Sequence, residues 1–322
     1  MIKNIAIIGA GFSAGILNYF LKEEVDFYEK SRGVGGRCST RKVDDVGLFD
    51  HGLQYIQNPD HEFKNILDNY SIWQGDFKIF HNNKVQNELD KEKRIINEGG
   101  NNLLVKNLFK NKNIFLNKEL KSIEKKSDYL HLTFNDGTEE DYKTVIITAP
   151  FQQAYNLTKK YTEHYFSKFN YSMQPNLTMM IAFNKSLNLN LSAISFEDDD
   201  VLGFAANENT KKRDLINKNL ELWTIQSSLK YALKNIQEYR NNKQNLIDEM
   251  LKNFLTKLKI EIKKENIHYS DMHGWLYACN LNTGSPNCYW DNDLRLGICG
   301  DWFSGPKAQN AFLNAKLLAG KL

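Results

Sequence analysis

This chain of 322 residues has few cysteines and no long apolar run. Its four cysteines (Cys38, Cys279, Cys288, Cys299) form no Cys-x-x-Cys pair, so we expect neither zinc nor a disulfide framework, which fits a reducing cytoplasm. None of the seven histidines stands in a hydrolase or metal-ligand pattern, so no metal site is predicted. No stretch approaches the ~18 apolar residues of a membrane span. The N-terminal apolar run has only four residues before a glycine, too few for a signal peptide.

The chain also lacks a strong excess of positive or negative charge. The 42 basic and 39 acidic residues leave a net charge of +3, and the lysines are scattered in mixed-charge runs. Nucleic-acid binders usually carry a concentrated basic surface, so we expect no nucleic-acid partner and no membrane partner. The length exceeds one mean domain, and 41% hydrophobic content is ordinary for globular proteins. The composition therefore predicts a soluble, cytoplasmic protein of two lobes.

The first 29 residues form a complete nucleotide-binding half-unit. An apolar strand at residues 5–8 leads into a glycine-rich turn at residues 9–15, a helical pattern and a second strand at residues 25–28. Glycines allow a tight turn and close backbone approach, so a pyrophosphate can sit on the helix N-terminus. Glu29 lies 20 residues after Gly9, where a carboxylate can accept hydrogen bonds from a ribose. This order predicts dinucleotide binding.

A second glycine cluster follows directly after Glu29. An ordinary doubly wound nicotinamide enzyme would normally enter another helix here, but this chain continues into Gly35-Gly36-Arg37. A flexible glycine pair followed by arginine suits a loop laid along a pyrophosphate, with bidentate contact from the guanidinium. In isolation, the alternative is a glycine-rich surface turn with solvated arginines. Its position after Glu29 favours the cofactor loop.

These motifs, together with Asp-His-Gly-Leu-Gln-Tyr at residues 50–55, resemble the flavin-containing amine oxidase superfamily. The resemblance covers essentially the whole chain. The N-terminal blocks and the block at residues 296–302 resemble the superfamily as a whole, and the middle blocks, at residues 201–207, 211–213, 222–226 and 273–278, resemble the renalase-like branch. It implies an α/β fold with a discontinuous Rossmann-like FAD-binding domain and a second α+β substrate domain. Four departures stand out: Ala14 for a third glycine, an altered basic cluster at residues 211–213, Gly274, and Gln309-Asn310 for an acidic-glycine pair. The last three lie on the expected substrate side and leave the substrate open.

The cofactor signals occur in separated patches, which predicts a discontinuous domain. We assign the FAD-binding domain to residues 1–58, 97–150 and 285–322, and the substrate domain to residues 59–96 and 151–284. An Asn-Asp-Gly turn at residues 135–137 predicts a hairpin, and apolar periodicity predicts a helix from Asn242 to Leu258.

Non-covalent FAD is the predicted cofactor, because no cysteine resembles a known attachment site. By resemblance, the Leu120 backbone would hold the adenine and Asp301 would accept hydrogen bonds from the ribityl chain. The backbone N–H groups of the following helix, near Gln309, would point at the flavin pyrimidine edge. A helix N-cap is the alternative role for Asp301. The predicted cofactor-binding residues are Gly9, Gly11, Phe12, Ser13, Ala14, Glu29, Lys30, Gly36, Arg37, Gln54, Leu120, Gly300, Asp301, Gln309, Asn310 and Ala311.

The predicted catalytic side chains are aromatic or polar rather than strongly basic. His273, Trp275 and Tyr277 alternate, so on a strand they would share one face and offer a flat slot for a planar substrate. Aromatic core packing is the alternative. By the superfamily pattern, Gln54 and Tyr55 complete this set near the flavin. We expect His51 to be structural and Trp302 to be either a ring contact or core.

The resemblance implies a reaction, oxidation of misreduced dihydro-isomers of NAD(P). A hydride would pass to the flavin, and dioxygen would reoxidise the flavin to give hydrogen peroxide. The partners would be a small-molecule substrate, either a dihydropyridine nucleotide or an amine, and dioxygen. An amine oxidase or desaturase-like enzyme is an alternative, although the sequence identifies no flavin-proximal lysine. A flavin-less binding protein of the same fold is another.

Overall fold

The computed structural model describes residues 1–87, 92–281 and 287–322, so the predicted domain boundary at 284/285 lies outside the described residues. The strands are β1 (Lys3–Ile8), β2 (Val25–Tyr28), β3 (Arg41–Val43), β4 (Gly47–Phe49), β5 (Ile56–Gln57), β6 (Tyr70–Ile72), β7 (Phe77–His81), β8 (Lys84–Asn87), β9 (Arg94–Asn97), β10 (Ile114–Phe115), β11 (Leu120–Lys125), β12 (Leu130–Phe134), β13 (Glu139–Ile147), β14 (Met173–Phe183), β15 (Ala193–Phe196), β16 (Leu202–Asn207), β17 (Glu221–Ser227), β18 (Ile267–Asn280), β19 (Tyr289–Asp291) and β20 (Leu296–Ile298). The α-helices are α1 (Phe12–Phe20), α2 (His61–Asn65), α3 (Asn102–Lys106), α4 (Phe151–Phe166), α5 (Leu229–Asn235), α6 (Lys243–Lys257) and α7 (Ala308–Ala319).

The first lobe is built on a mostly parallel sheet. Four of its strands lie in the order β10-β2-β1-β13 and are all parallel. On its other edge, β13 pairs with two different strands along its length. The first half of β13 pairs antiparallel with β12, and its buried apolar second half pairs parallel with β20. Continuous apolar runs are typical of parallel strands covered on both faces. The α/β class and the Rossmann-like arrangement are confirmed.

The second lobe is an antiparallel-rich sheet of seven strands, in the order β18-β14-β17-β16-β15-β7-β8. On one face, α5 and α6 bury residues such as Met250 and Phe254. On the other face, Met180 and Ala182 pack against Phe49 of the short β3–β4 hairpin. That hairpin precedes the Asp50–Tyr55 segment, so the inner face of the sheet lies against the predicted cofactor segments.

Local predictions agree with this structure. The predicted 242–258 helix is α6, with Asn242 and Leu258 as its flanking residues. The predicted hairpin joins β12 to β13, and Gly137 has a φ of +83° in the turn. Among the described residues, no helix is long and apolar enough to cross a membrane.

Two helices outside the predicted limits of the first domain pack on its core. In α2, Phe63 stacks on Phe312 of α7 with ring centroids 4.9 Å apart. In α4, Phe166 joins the aromatic cluster around Trp302, which is fully buried and donates its indole N–H to the Ala149 carbonyl. Trp302 is therefore core, the second of its two predicted roles.

Candidate active site

Gly9 and Gly11, in the first glycine-rich loop, have different surroundings. Gly9 has a φ of +101°, and a Cβ there would lie 2.7 Å from the Thr148 hydroxyl oxygen. Apart from its chain neighbours, a Cβ on Gly11 would have no heavy atom within 4 Å. Gly11 also precedes α1, which has no side-chain cap and no acidic residue in its first turn. The backbone at Gly11 is therefore open to an anionic group, as a pyrophosphate requires.

The helix-packing role falls on Gly15 rather than on Ala14. A Cβ on Gly15 would lie 2.9 Å from the Leu108 side chain, so only glycine lets α1 approach this neighbour. The Gly15 N–H already donates to the Gly11 carbonyl at 3.1 Å. The earlier N–H groups, those of Phe12, Ser13 and Ala14, remain for a ligand. The Phe12 side chain itself packs edge-on against Phe63 in the core, and Ser13 and Ala14 are buried.

The second glycine loop lies directly on the first. The Gly35 N–H donates to the Ala10 carbonyl at 2.9 Å, and a Cβ on Gly36 would lie 3.6 Å from the Gly11 Cα. Both Gly35 and Gly36 have positive φ angles, which favour glycine. The structure thus brings two separately predicted loops together at one groove.

Glu29 sits beside these loops and is fixed in place by the backbone. Its carboxylate accepts the N–H groups of Ala10 at 2.9 Å and Ser31 at 2.8 Å. Carboxylate oxygens have more than one lone pair, so both can still accept from a ribose diol. The Lys118 N–H donates to the Glu29 carbonyl, which brings Leu120 at the start of β11 close to the same end of the groove. Lys30 is exposed.

Arg37 and Asp301 form an ion pair, although 264 residues separate them. Arg37 Nη1 donates to Asp301 Oδ2 at 2.9 Å, and Nη2 donates to Oδ1. Nη1 also donates to the Ala278 carbonyl on β18 at 2.8 Å. Burial acts to lower the Arg37 pKa, but the Asp301 carboxylate outweighs it and the pKa is raised. The predicted bidentate partner was a phosphate; the structure shows instead that the guanidinium fork holds Asp301, because the opposite charges are adjacent.

Asp301 is not the N-cap of the last helix. It opens a short 3₁₀ turn, Asp301–Phe303, and α7 begins only at Ala308 with Lys307 as its N-cap. Gly300 has no room for a side chain, because a Cβ would lie 2.6 Å from the Trp302 indole nitrogen. The Asp301 carboxylate is therefore held by Arg37 instead of capping α7.

At the start of α7, backbone groups rather than side chains are available. The Gln309 amide exchanges two hydrogen bonds with Asp60, at 3.0 and 2.6 Å. The Asn310 amide donates to the Ser304 carbonyl at 3.0 Å. The N–H groups of Asn310 and the buried Ala311 already donate to the Lys307 carbonyl. Of the three predicted residues, only Gln309 has a backbone N–H that precedes the helical ladder.

An aromatic wall of His51, His273 and Trp275 lies on the inner face of the second sheet. The ring centroids of His273 and Trp275 are 4.3 Å apart, and His51 stacks on Trp275 at 5.4 Å. The Trp275 indole N–H donates to the His51 carbonyl at 2.8 Å. Tyr277, the third alternating residue, packs against the core of the first sheet. His51 was predicted only as a structural residue, but the structure places it within this wall.

Both imidazoles of the wall are held neutral. Burial lowers the pKa of His51 to about 3, and the nearby His273 and Arg41 act in the same direction. Burial and Arg41 also lower the pKa of His273. Among the described residues, His51 Nδ1 has no hydrogen-bond partner. At neutral pH the wall therefore presents uncharged rings. Gly274 points to the opposite face, where a Cβ would meet the Tyr239 ring at 2.5 Å.

A buried charge quartet lies behind the Asp50–Tyr55 segment. It consists of Asp50, Glu208, Lys211 and Arg213, whose side chains are all fully buried. Lys211 Nζ lies 2.9 Å from Asp50 Oδ2, 3.0 Å from Glu208 Oε2 and 3.2 Å from Gln54 Oε1. Arg213 bridges the same two carboxylates. The sequence showed only a basic cluster; the acids in residues 50–55 and 201–208 were the signal for their partners.

Gln54 and Tyr55 point into different surroundings. Gln54 is buried, accepts from Lys211 and donates its amide to the Asp50 carbonyl. The Tyr55 ring lies 6.0 Å from Trp73 and 6.2 Å from Phe204. Gln54 therefore contacts the charge quartet, whereas Tyr55 belongs to an aromatic cluster of the second lobe.

Neither a metal nor a reactive thiol competes with this site. The described residues contain no group of three or more ligands that could hold a metal ion. Cys38 is buried and its thiol donates to the Asn101 carbonyl at 3.0 Å, and burial raises its pKa. A protonated, buried thiol is a poor attachment point for a flavin. Two surface cavities, of about 320 and 530 Å³, lie elsewhere and contain no predicted site residue.

Comparisons with known proteins agree with this geometry. Residues 7–70 match the family described as an NAD(P)-binding Rossmann-like domain, and residues 69–187 match the family described as flavin containing amine oxidoreductase. The chain is similar to a protein provisionally named protoporphyrinogen oxidase from Exiguobacterium sp. 255-15, with a TM-score of 0.78, 10% identity, and 99% of this chain and 98% of that chain covered. It is similar to a reduced UDP-galactopyranose mutase, with a TM-score of 0.73, 11% identity, and coverage of 99% and 93%.

An engineered putrescine oxidase is also similar, with a TM-score of 0.69, 11% identity, and coverage of 99% and 98%. At these identities the structural likeness shows the fold alone. The match at residues 7–70 covers the glycine loops and indicates a dinucleotide-binding domain, and the segment at residues 69–187 is similar to flavin-containing amine oxidoreductases, which points to a flavin cofactor. Together with the fold, these matches support an FAD-dependent oxidoreductase.

Proposed function

We propose that the chain binds FAD non-covalently and oxidises a flat small substrate, as a renalase-like enzyme. The convergence of the two glycine loops carries the proposal. Gly36 lies against Gly11, a Cβ on Gly11 would meet no heavy atom within 4 Å apart from its chain neighbours, and Glu29 and the Arg37–Asp301 pair lie beside it. Such a groove suits an extended dinucleotide with a central pyrophosphate. The four free cysteines fit a reducing compartment, so we place the activity in the cytoplasm.

Each part of the groove has a distinct task in this proposal. The first turn of α1 offers uncapped N–H groups to the pyrophosphate, and Glu29 offers carboxylate oxygens to the ribose. Asp301, held by Arg37, would accept from the ribityl hydroxyls, and the α7 N-terminus would face the pyrimidine edge. When bound, FAD would supply two-electron redox chemistry, with dioxygen as the final acceptor.

The uncharged aromatic wall favours a substrate whose oxidation needs no strongly basic side chain. His273 and Trp275 present uncharged rings whose planes are 61° apart, so a planar ring can stack on one of them and meet the edge of the other. A dihydropyridine becomes aromatic by losing a hydride, so no proton has to be removed at carbon. We therefore propose misreduced dihydro-isomers of NAD(P) as the substrate class.

Amine oxidation is the weaker alternative, and Lys211 shows why. It is a buried lysine next to Gln54, but three oxygen acceptors already surround its ammonium group. The lysine ammonium group has only three N–H donors, and three oxygen acceptors already use them. No donor therefore remains to bind a water molecule beside a flavin. Lys211 is thus a structural cation here.

Anaerobic reduction of the purified protein tests the proposal. We expect a yellow protein that releases FAD on denaturation, and rapid bleaching by the 2- and 6-dihydro-isomers of NAD(P). Ordinary 4-dihydro-NADPH and a panel of primary amines should act far more slowly, and air should restore the colour with release of hydrogen peroxide. A preparation that stays colourless after incubation with FAD would refute cofactor binding. Equal or reversed substrate preference would refute the substrate class.

A further inference from the structure

Two cations, Arg41 and Lys243, lie at the outer end of the aromatic wall. Arg41 lies on β3 and Lys243 begins α6, and both are ion-paired with Asp271 on the edge strand β18. The nearby acid is Asp271, which lies 2.8 Å from Lys243 Nζ and 3.6 Å from Arg41 Nη1. One carboxylate between two cations leaves a surplus of positive charge at this rim.

The short hairpin places Arg41 at the wall. Arg41 pairs with Phe49 across β3 and β4, and the His51 N–H donates to the Phe49 carbonyl at 3.0 Å. On β18, Asp271 precedes His273 by two residues and therefore shares its face of the strand. The Arg41 guanidinium, 3.6 Å from Asp271, thus lies beside both histidines.

The Arg41 donors are largely uncommitted. Within the described residues, the 3.6 Å contact with Asp271 is its only polar contact, and its side chain is 41% exposed. A guanidinium carries five N–H donors in a planar fork that matches phosphate and carboxylate oxygens. By contrast, Arg37 and Arg213 have their forks filled by carboxylates. Arg41 therefore has N–H donors available for an anionic ligand that enters from solvent.

We propose that Arg41 binds a phosphate group of the substrate while the planar ring of that substrate lies against the His273–Trp275 wall. Lys243 adds positive charge that attracts such a substrate and repels a cationic amine. This inference rests on the proposed function and deepens it, because it assigns the site to phosphorylated nucleotides. It also supplies a physical reason, independent of the flavin, for preferring nucleotides over amines.

The test compares two neighbouring charge-loss variants in the FAD-loaded protein. Arg41→Gln removes the proposed phosphate ligand. Lys42→Gln is the matched control, since Lys42 is the next residue on β3, has a 65% exposed side chain and lies 3.8 Å from Asp44. The first readout is calorimetric binding of NADP. A charge-assisted hydrogen-bonded contact predicts a Kd about tenfold higher in Arg41→Gln, less than twofold higher in Lys42→Gln, and intermediate in Arg41→Lys.

The second readout is substrate discrimination. The ratio of kcat/KM for a dihydro-isomer of NADP to that for the corresponding phosphate-free dihydronicotinamide riboside should fall about tenfold in Arg41→Gln, mainly through KM. Equal effects of Arg41→Gln and Lys42→Gln on NADP binding would overturn the inference, and so would wild-type protein that does not bind NADP. Arg41-dependent NADP binding without flavin bleaching by any dihydropyridine would uphold this inference and refute the proposed function.

Discussion

Replacing Lys211 by methionine should destabilise the protein severely, because it leaves a buried charge without compensation. The quartet contains two carboxylates and two cations, all with fully buried side chains, so wild-type charge is balanced. Removing one partner of a buried ion pair costs about 3–5 kcal/mol. The contact of the ammonium with the Trp73 ring, 4.9 Å from its centroid, is lost as well. We expect a Tm lower by roughly 4–7 °C, from the unfolding entropy of a chain of this length.

Urea unfolding followed by circular dichroism measures this loss, and Lys212→Met is the matched control. Lys212 is the next residue, but it is exposed, so its substitution should change the unfolding free energy by less than about 0.5 kcal/mol. The double variant Glu208→Gln/Lys211→Met removes one acid and one base and should recover part of the loss. If Lys211→Met stays within about 1 kcal/mol of wild type, or matches Lys212→Met, the quartet does not contribute as argued.

Three further predictions concern the groove and the wall. Gly11→Thr keeps a good N-cap residue but fills the open space, so FAD content should fall at least about tenfold while the unfolding free energy changes by less than about 1 kcal/mol; a normal flavin content would contradict the groove. Gly15→Val should instead lose about 1–3 kcal/mol in urea unfolding, because its side chain meets Leu108. The folded pKa of His51, about 3, lies below its unfolded value near 6.5. Its stabilising contribution is therefore complete above pH 6.5 and falls by about 1.4 kcal/mol per pH unit towards pH 3. His51→Gln should flatten that slope in pH-dependent unfolding; an unchanged slope would exclude a buried neutral imidazole.

Protonation of the Asp50 carboxyl should lower the unfolding free energy separately, at a lower pH. Burial acts to raise its pKa, but Arg213 and Lys211 outweigh burial and lower it. A carboxyl with a depressed folded pKa stabilises the protein above its unfolded pKa of about 3.9 and loses that contribution as the pH falls further. As the pH falls, the His51 effect therefore begins about 2.6 pH units above the Asp50 effect.

The two lobes also contribute different parts of the proposed reaction. In the proposed function, the first lobe would hold the cofactor with backbone groups and the Arg37–Asp301 pair. The second lobe supplies β18, whose Ala278 carbonyl contacts Arg37 and whose His273 and Trp275 form the wall. A single strand thus links the cofactor groove to the substrate surface, so a shift of β18 would disturb both.

Short-range features could be predicted from the sequence because their physical causes lie close along the chain. The half-unit from β1 to Glu29 depends on apolar periodicity and on the glycines between two strands. The α6 helix and the turn at Gly137 depend likewise on local pattern. The limits of α6 differ from the predicted ones by one residue at each end, because the predicted end residues, Asn242 and Leu258, are its caps.

Long-range pairings needed the tertiary structure. Arg37 meets Asp301 across 264 residues, and Arg213 meets Asp50 across 163. The sequence alone determined that this protein has a dinucleotide-type half-unit in an α/β fold, since backbone conformation and apolar patterning act over a few residues. Only the tertiary structure decided which buried charges are paired, which glycine packs a helix and which arginine keeps most of its donors uncommitted. Those outcomes depend on the desolvation of groups that are distant in sequence and meet only when the two lobes pack together.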